Sequence, residues 1–235
     1  VNGAHILSMK RSRQTPRPGE TPGSIIDISV REYLSWPTWK QHCWKLYRVP
    51  LDFPERPVTI PPYLIGVWLG DGTARETSIT TPDPEIVEYL EKMAGLMDLD
   101  LMKRSSTSGG KASTYAFRGK RWHTNWLQMA MRDYGLMPAK FIPHAYKCNS
   151  REIRLELLAG LVDSDGWANH SGYQIIQKRK ALADDIAYVA RSLGFQVSVK
   201  TKIGRITSLG FEGQYFRVEI NGDCSIIPVK ISRKR

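Results

Sequence analysis

The sequence predicts an α+β fold made of two pseudo-symmetric halves, each with the order αββαββ and a possible further helix. An apolar run followed by Asp-Gly occurs within 64–72 and again within 157–167. After each run come strand-like segments, a helix-like segment and more strand-like segments. The repeat includes Tyr-Ala-Phe-Arg from residue 115 and Tyr-Phe-Arg from residue 215. Helices packed on one face of antiparallel strands fit this order, and two copies in one chain indicate a pseudo-two-fold axis.

Residues 1–55 are predicted to form an N-terminal extension. Residues 11–24 are rich in Pro, Gly and Arg and predict a loop, and the following residues begin with a strand-like alternation. Trp36, Trp39 and Trp44 then alternate with basic residues. Two interpretations are open for them, an amphipathic helix with its aromatic rings in a core or a basic, aromatic surface that contacts DNA. The four prolines of 54–62 predict an extended linker.

The remaining chain is predicted to divide into a first half, 56–150, and a second half, 151–235. In the first half we expect the apolar helix, strands within 73–81, a helix at 82–97 and a further helix at 122–135. The second half repeats this order with a helix at 181–194, followed by the strand-like segments FQVSVKTK and QYFRVEING.

The two apolar runs align with a single offset of 94 residues. Gly66 then matches Gly160, Gly70 matches Ser164, and Asp71 matches Asp165. Residues four apart share one face of a helix, and small residues on that face allow another helix backbone to approach closely. We therefore expect the two runs to be helices that pack on each other.

Such packing would bring Asp71 and Asp165 side by side. Two carboxylates ~4 Å apart repel each other by roughly 4 kcal/mol at an effective dielectric constant near 20, unless a proton or a cation intervenes. Mg²⁺ suits two carboxylates, water and phosphate oxygens. The alternative is that each Asp only ends its helix beside a glycine C-cap, but two equivalent positions in a basic protein favour metal chemistry. Asp163 matches Leu69, so we expect it to be non-catalytic and at the domain surface.

The charge of the chain indicates a polyanionic partner. Lys and Arg number 34 and Asp and Glu 23, which gives a net charge of +11. Nucleic acid is the first expectation and an anionic membrane surface the second. The sequence holds no apolar run of the ~18 residues that a membrane span needs. The three cysteines form no CxxC pair, so we expect neither a zinc site nor disulfides, and a nuclear or cytoplasmic location.

These motifs resemble those of the LAGLIDADG homing endonucleases. LAGLVDSDG at 158–166 differs from the family pattern at two positions, LIGVWLGDG at 64–72 is more degenerate, and the resemblance covers about 56–235. It implies two LAGLIDADG subdomains that form a DNA-binding saddle, in a monomer that cleaves double-stranded DNA. It also implies that Asp71 and Asp165 bind catalytic Mg²⁺, which Ca²⁺ or Mn²⁺ could replace, and that the carbonyl groups of Gly70 and Ser164 help to bind it.

The family resemblance also implies an active-site lysine before the second motif. Lys140 lies 25 residues before Asp165, where such a lysine is expected, although a solvated surface lysine is an equal alternative. For a second lysine, Ser225 occupies the matching place in SIIP, and Lys230 is the nearby substitute.

The N-terminal residues resemble part of an intein. VNGAHILSM at 1–9 is similar to an internal histidine block of splicing domains, with His5 as its histidine. DISVREYL and KLYRVPLDFP resemble the stretch that leads into the endonuclease of fungal inteins in the spliceosomal pre-mRNA-processing factor. Because the sequence shows neither an upstream nucleophile block nor a terminal His-Asn, we do not expect it to splice itself.

Basic and amide side chains of the strand-like segments are candidates for contacts with DNA. Arg and Lys suit guanine and Gln suits adenine, while many of them would contact only phosphates, and strand alternation turns about half of them away. The candidates are Lys103, Arg104, Lys111, Arg118, Lys120, Arg121, Gln174, Gln177, Lys178, Lys200, Lys202, Arg205, Arg217 and Lys230.

The sequence therefore predicts a Mg²⁺-dependent, site-specific endonuclease that cuts the intein-free host gene, with Asp71, Asp165 and Lys140 in catalysis. The alternatives are an inactive DNA-binding remnant and an RNA-splicing maturase on the same fold. Both motif aspartates are present, which argues against a remnant, and the intein-like N-terminus argues against a maturase.

Overall fold

The computed structural model describes two compact units, Val1–Val49 and Pro50–Arg235. The first unit lies within the predicted extension of residues 1–55, and both predicted halves lie within the second unit. The described residues are 2–12, 21–104, 112–120, 124–170, 172–206 and 210–235.

The first unit is a small antiparallel sheet with two short helices. Its strands have the order β2-β1-β3. The elements are β1 (Ile6–Arg11), β2 (Ile25–Ser29), α1 (Val30–Ser35), α2 (Thr38–Cys43) and β3 (Trp44–Leu46).

The tryptophans of the first unit do not share one helix, because Pro37 separates α1 from α2 and Trp44 begins β3. Trp44 is buried with Met9, and its ring centroid lies 6.3 Å from that of Trp36. Trp39 is 44% exposed. The core interpretation therefore holds for Trp36 and Trp44 but not for Trp39.

The first half of the second unit contains a three-stranded antiparallel sheet with the order β4-β6-β5. Only one strand lies within 73–81, and an isolated bridge between Gly72 and Ile79 takes the place of the other expected strand. The elements are α3 (Pro62–Asp71), β4 (Ser78–Thr81), α4 (Pro84–Leu96), β5 (Leu99–Arg104), β6 (Ser113–Gly119), α5 (Trp126–Asp133) and α6 (His144–Lys147).

The second half contains a four-stranded antiparallel sheet with the order β7-β8-β10-β9. It follows the predicted order of helix, two strands, helix and two strands. The elements are α7 (Arg151–Asp165), β7 (Gly166–Asn169), β8 (Gly172–Gln177), α8 (Lys180–Ser192), β9 (Gln196–Ile206) and β10 (Phe211–Asn221), and short 3-10 turns follow at Cys224–Ile226 and Ser232–Lys234.

Helices α3 and α7 lie in the core of the second unit, because the part of each helix that contacts the other carries apolar or small residues on nearly every side. From Pro62 to Leu69 every residue of α3 is buried, and from Leu157 to Asp163 so is every residue of α7. A helix that is apolar all round is stable only within a core. Pro62 favours the start of α3, and the Ser150 hydroxyl accepts a bond from the Ile153 N–H at the start of α7.

Each of the two sheets of the second unit has one face that is covered by a helix. We call the other face of each sheet the open face. On the covered face, Phe117 of β6 packs in the core with Leu90 of α4, and Ile220 of β10 packs with Ile186 of α8. Strand alternation turns the intervening side chains to the open face. No helix among the described residues is long and apolar enough to cross a membrane.

Arg154 is a fully buried cation that joins separate segments of the second unit. Its guanidinium donates hydrogen bonds to the carbonyl oxygens of Ser192 (2.8 Å) and Leu51 (2.7 Å). It also lies 4.9 Å from the ring centroid of Phe53. Arg154 thus caps the C-terminus of α8 and holds the incoming chain against α7.

Candidate active site

Helices α3 and α7 cross at Gly66 and Gly160, with their backbones in direct contact. A Cβ added to Gly66 would lie 2.2 Å from the Leu157 carbonyl oxygen, and one added to Gly160 would lie 2.2 Å from the Tyr63 carbonyl oxygen. Since only hydrogen fits in these gaps, the expected role of the small residues is confirmed.

The same crossing brings the two helix ends with Asp71 and Asp165 together. A Cβ added to Gly70 would lie 3.3 Å from the carboxyl carbon of Asp165. Burial first and then the negative charge of Asp165 raise the pKa of Asp71 to about 6, although Lys140 and Lys234 oppose the shift. Burial also raises the pKa of Asp165, while hydrogen bonding from Gln177 opposes the shift. The two carboxylates therefore sit where a proton or a cation is favoured.

The glycine after each aspartate is not a left-handed C-cap. Gly72 has φ −79° and ψ 153°, and Gly166 has φ −83° and ψ 141°, so both are extended. Glycine is needed for space instead, since a Cβ on Gly72 would lie 2.4 Å from the Trp68 carbonyl oxygen and one on Gly166 would lie 2.5 Å from that of Val162. The backbone therefore turns tightly directly after Asp71 and Asp165, and each carboxylate stays close to the end of its own helix.

Lys140 is half-buried beside Asp71 rather than solvated at the surface. Its ammonium donates bonds of 3.0 Å to the carbonyl oxygens of Leu69 and Gly70, at the end of α3. Asp185 of α8 holds the backbone next to Lys140 in place, because its carboxylate accepts a 2.8 Å hydrogen bond from the Ile142 N–H. Burial lowers the pKa of Lys140 to about 8, although Asp165 and Asp71 favour its charged form.

The counterpart of Lys140 in the second half is Lys234, which sequence reasoning missed. Its ammonium donates bonds to the carbonyl oxygens of Val162 (2.8 Å) and Asp163 (2.7 Å), near the end of α7. Lys234 follows Lys140 by 94 residues, which is the offset of the two motifs. The sequence does carry a signal for Lys234: the offset of 94 residues between the two motifs, applied to Lys140, gives residue 234. The match of KFIP to SIIP gives Ser225 instead.

Neither expected substitute for this lysine reaches the helix end. The Ser225 hydroxyl hydrogen-bonds to Asp223. The Lys230 ammonium lies 4.7 Å and 5.2 Å from the ring centroids of Tyr63 and Tyr89, respectively. Among the described residues, neither side chain forms a hydrogen bond to the end of α7, whereas Lys234 does, so Ser225 and Lys230 are not the symmetric partners of Lys140.

Asp163 is fully buried, so its expected surface position was wrong. Its carboxylate accepts bonds from the Tyr63 hydroxyl (2.7 Å) and the Lys230 N–H (2.6 Å). Such donors offset the cost of burying a carboxylate. Burial and the neighbouring Asp163 raise the pKa of Tyr63, which keeps its hydroxyl a proton donor.

Gln177 belongs to the carboxylate pair rather than to the open face. Its amide nitrogen donates a 2.7 Å bond to an Asp165 oxygen. Gln177 is buried on the same side of β8 as Tyr173 and Ile175, which explains why it points at the helix end. It therefore orients Asp165.

The donor set fits a hard divalent cation that keeps much of its water. The described residues contain no group of three or more Asp, Glu, His or Cys side chains that could hold a metal ion by themselves. Two carboxylates with nearby backbone carbonyls suit Mg²⁺, Mn²⁺ or Ca²⁺, whose other ligands are water and phosphate. The Gly70 carbonyl already accepts a bond from Lys140. The Ser164 hydroxyl bonds to the Gly160 carbonyl (2.8 Å), which leaves the Ser164 backbone carbonyl as the potential ligand.

Several predicted DNA contacts share the open face of the second sheet. Arg217 is paired with Lys200 and with Ile176, Tyr215 with Lys202, and Glu219 with Gln174. Lys178 is exposed directly after β8. Glu219 forms ion pairs with Lys200 (3.1 Å) and Arg217 (3.3 Å), which orders these long side chains.

Trp167 is an open-face residue that sequence reasoning did not single out. It is 72% exposed, two residues after Asp165, and paired with Gln174. Its counterpart in the first half is Thr73, so this large apolar ring belongs to one half alone.

On the first sheet, the open face carries Arg104 and Arg118, and Arg104 is ion-paired with Glu76 at 3.1 Å. Lys120 is exposed just after β6 and ion-paired with Asp98.

Two basic candidates lie on the opposite faces. Lys103 is paired with Tyr115 on the covered side of the first sheet, 6.0 Å from its ring centroid. Arg205 is ion-paired with Glu212 on the side that carries Val199. Lys111 and Arg121 lie outside the described residues.

Comparison with known proteins shows similarity to a homing endonuclease domain over part of the chain. The homing endonuclease family model matches residues 141–223. The replicative DNA helicase DnaB of Mycobacterium intracellulare is 36% identical over 153 residues, which cover 65% of this chain and 22% of the helicase. The homothallic switching endonuclease of Saccharomyces cerevisiae is 27% identical over 190 residues, which cover 70% of this chain and 32% of that protein. The chain thus spans a third or less of these relatives.

Among solved structures, I-DmoI in complex with DNA and Ca has a TM-score of 0.48 at 12% identity, over 68% of this chain and 82% of that one. The N-terminal LAGLIDADG domain of DUF199/WhiA has a TM-score of 0.41 at 9% identity, over 69% of this chain and 78% of that one. The residues that match the family model, 141–223, include the second motif with Asp165.

Proposed function

We propose that this protein is a site-specific endonuclease that hydrolyses phosphodiester bonds on both strands of a long DNA target with the help of Mg²⁺. The observation that carries the proposal is the pair Asp71 and Asp165 at the ends of two crossed helices, each with a lysine hydrogen-bonded to backbone carbonyl oxygens near that end. One carboxylate and one lysine on each side of the crossing match the need to cut two strands.

The roles follow from the contacts at the helix ends. Bound Mg²⁺ would activate a water and stabilise the leaving 3′ oxygen, the two tasks that phosphodiester hydrolysis requires. Asp71 and Asp165 would bind the metal, and Gln177 would hold Asp165 in place. Lys140 and Lys234 would add positive charge where negative charge develops on the phosphate.

The open faces of the two sheets support binding to DNA. Arg217, Lys200 and Lys202 lie side by side on adjacent strands, and Arg104 and Arg118 lie on the first sheet. Antiparallel strands in the major groove can read base edges, and their basic side chains can also bind phosphates. Trp167 offers an apolar surface that suits the methyl group of thymine.

We also propose that the chain is an intein-encoded module. Residues 1–9 resemble a splicing-domain block. The matched segments make up 22% of a DNA helicase and 32% of an endonuclease. Sequence related to this chain therefore occurs as one part of longer proteins with different activities, as expected for an inserted module. An endonuclease of this origin would cut the host gene that lacks the insertion, in the compartment that holds that gene.

The test is cleavage of a supercoiled plasmid that carries the intein-free host-gene junction, with Mg²⁺ and with EDTA. We expect linear product with Mg²⁺ and none with EDTA. A plasmid whose junction is interrupted by the intein should give no linear product under either condition. Asp71→Asn and Asp165→Asn should each abolish linear product while binding to the junction stays within about threefold, because neutral amides hold the metal poorly.

Asp133→Asn, an exposed substitution at the end of α5, is the matched control and should cut normally. Tight junction binding without cleavage in Mg²⁺ would show a DNA-binding protein, and preference for structured RNA would show a maturase. Either result, or normal turnover by one of the two Asn variants, contradicts the proposal.

A further inference from the structure

The two halves of the candidate site differ at one buried position. Leu69 precedes Asp71 by two residues, and Asp163 precedes Asp165 by two. Their relative exposures are 1% and 0%. An apolar side chain is stable there without partners, whereas a carboxylate needs donors.

The donors for Asp163 come mainly from the segment that leads to Lys234. Its carboxylate accepts the N–H of Lys230 at 2.6 Å and that of Ile231 at 3.4 Å. Ile231 is fully buried and Lys230 is half-buried, so the Ile231 N–H has little access to water. If Asp163 were lost, this buried donor would be left unpaired, which costs more than the bond itself contributes.

Lys234 then reaches the end of α7 from this fixed segment. Its ammonium contacts the carbonyl oxygens of Val162 and Asp163, so the side chain and the backbone of one residue hold the segment at two points. Lys140 is held differently, through the Ile142 N–H on Asp185 of α8. Leu69 contributes only its backbone carbonyl there.

We propose that Asp163 is a positioning residue that places Lys234 in the second half of the active site, and that it thereby serves the cleavage of one DNA strand. This inference rests on the proposed function. It assigns to Asp163 a role that Leu69 does not need in the first half, because a different residue anchors Lys140.

The first test measures each strand separately, with a duplex target labelled on both strands. Asp163→Asn should slow one strand on the order of tenfold and leave the other within about twofold, so nicked DNA accumulates. Lys234→Met should slow the same strand, and Lys140→Met should slow the opposite one. The double variant Asp163→Asn, Lys234→Met should be no slower than Lys234→Met alone.

The ratio of the two strand rates does not depend on how much variant protein is folded, because both rates come from the same molecules. Asp133→Asn is the charge-matched control, with an unchanged ratio. Equal slowing of both strands, or slowing of the strand that depends on Lys140, would overturn the inference.

A second test does not require cleavage of DNA. Trypsin should cut after Lys230 on the order of tenfold faster in Asp163→Asn than in wild-type protein, since exposure of a site controls its proteolysis. Asp133→Asn should be cut at the wild-type rate. Equal rates for Asp163→Asn and wild type would overturn the inference, whereas wild-type protein that never cuts DNA would overturn the proposed function.

Discussion

Gly160→Ala should separate the two central helices and so disturb both stability and catalysis. A Cβ at residue 160 would lie 2.2 Å from the Tyr63 carbonyl oxygen, 2.8 Å from the Val67 nitrogen and 3.0 Å from the Gly66 Cα. All three are backbone atoms, so no side-chain rotation relieves the overlap.

The size of the effect follows from these distances. Ordinary contacts of a Cβ begin near 3.4 Å, so α3 and α7 must separate by about 1 Å at the crossing. Overpacking of a core costs about 3 kcal/mol when the neighbours are rigid, and the better helix propensity of alanine returns about 1 kcal/mol. We expect a net loss of about 2 kcal/mol in the free energy of unfolding.

Catalysis should suffer more than stability. The same separation moves Asp71 away from Asp165, and a displacement of about 1 Å at a reacting centre costs on the order of 100-fold in rate. Plasmid cleavage under single-turnover conditions measures the rate, and urea denaturation measures the stability of the same preparation.

Gly95→Ala is the matched control. Gly95 lies in α4, is exposed, and a Cβ there would have no neighbour within 4 Å. The gain in helix propensity should stabilise the protein by about 0.5–1 kcal/mol, with no change in rate. If Gly160→Ala were as stable and active as Gly95→Ala, the close crossing of α3 and α7 would be refuted.

Two further predictions concern buried charge. Because the pKa of Asp71 is raised to about 6, its stabilising contribution is present below pH 4 and lost as the pH rises through 6. Without metal, Asp71→Asn should therefore be more stable than wild type by about 1 kcal/mol at pH 8, after solvent screening of this half-buried group, and equally stable at pH 4. Equal urea midpoints at pH 8 would contradict this. Arg154→Met should lose about 3 kcal/mol or more, because it leaves buried carbonyl oxygens unpaired, whereas the exposed Arg132→Met should lose under about 0.5 kcal/mol. A similar urea midpoint for both would show that the Arg154 bonds contribute little.

The pattern of apolar residues predicted α4 and α8 well, because each helix covers one face of a sheet and its sequence carries that asymmetry. The same approach expected two strands within 73–81, where only β4 and the bridge to Gly72 form. Short polar strands depend on their partners, so their own residues say little about them.

The sequence by itself determined the paired helices, their glycine contact and the two aspartates. The small and acidic residues lie within ten residues of one another in each half, so their spacing is visible in the sequence, and it repeats with an offset of 94. Tertiary structure decided the rest of the site. Lys234, Gln177 and Asp163 reach the helix ends from distant segments. Their roles depend on which carbonyl, amide or carboxylate lies opposite them, and the order of residues along the chain does not contain that information.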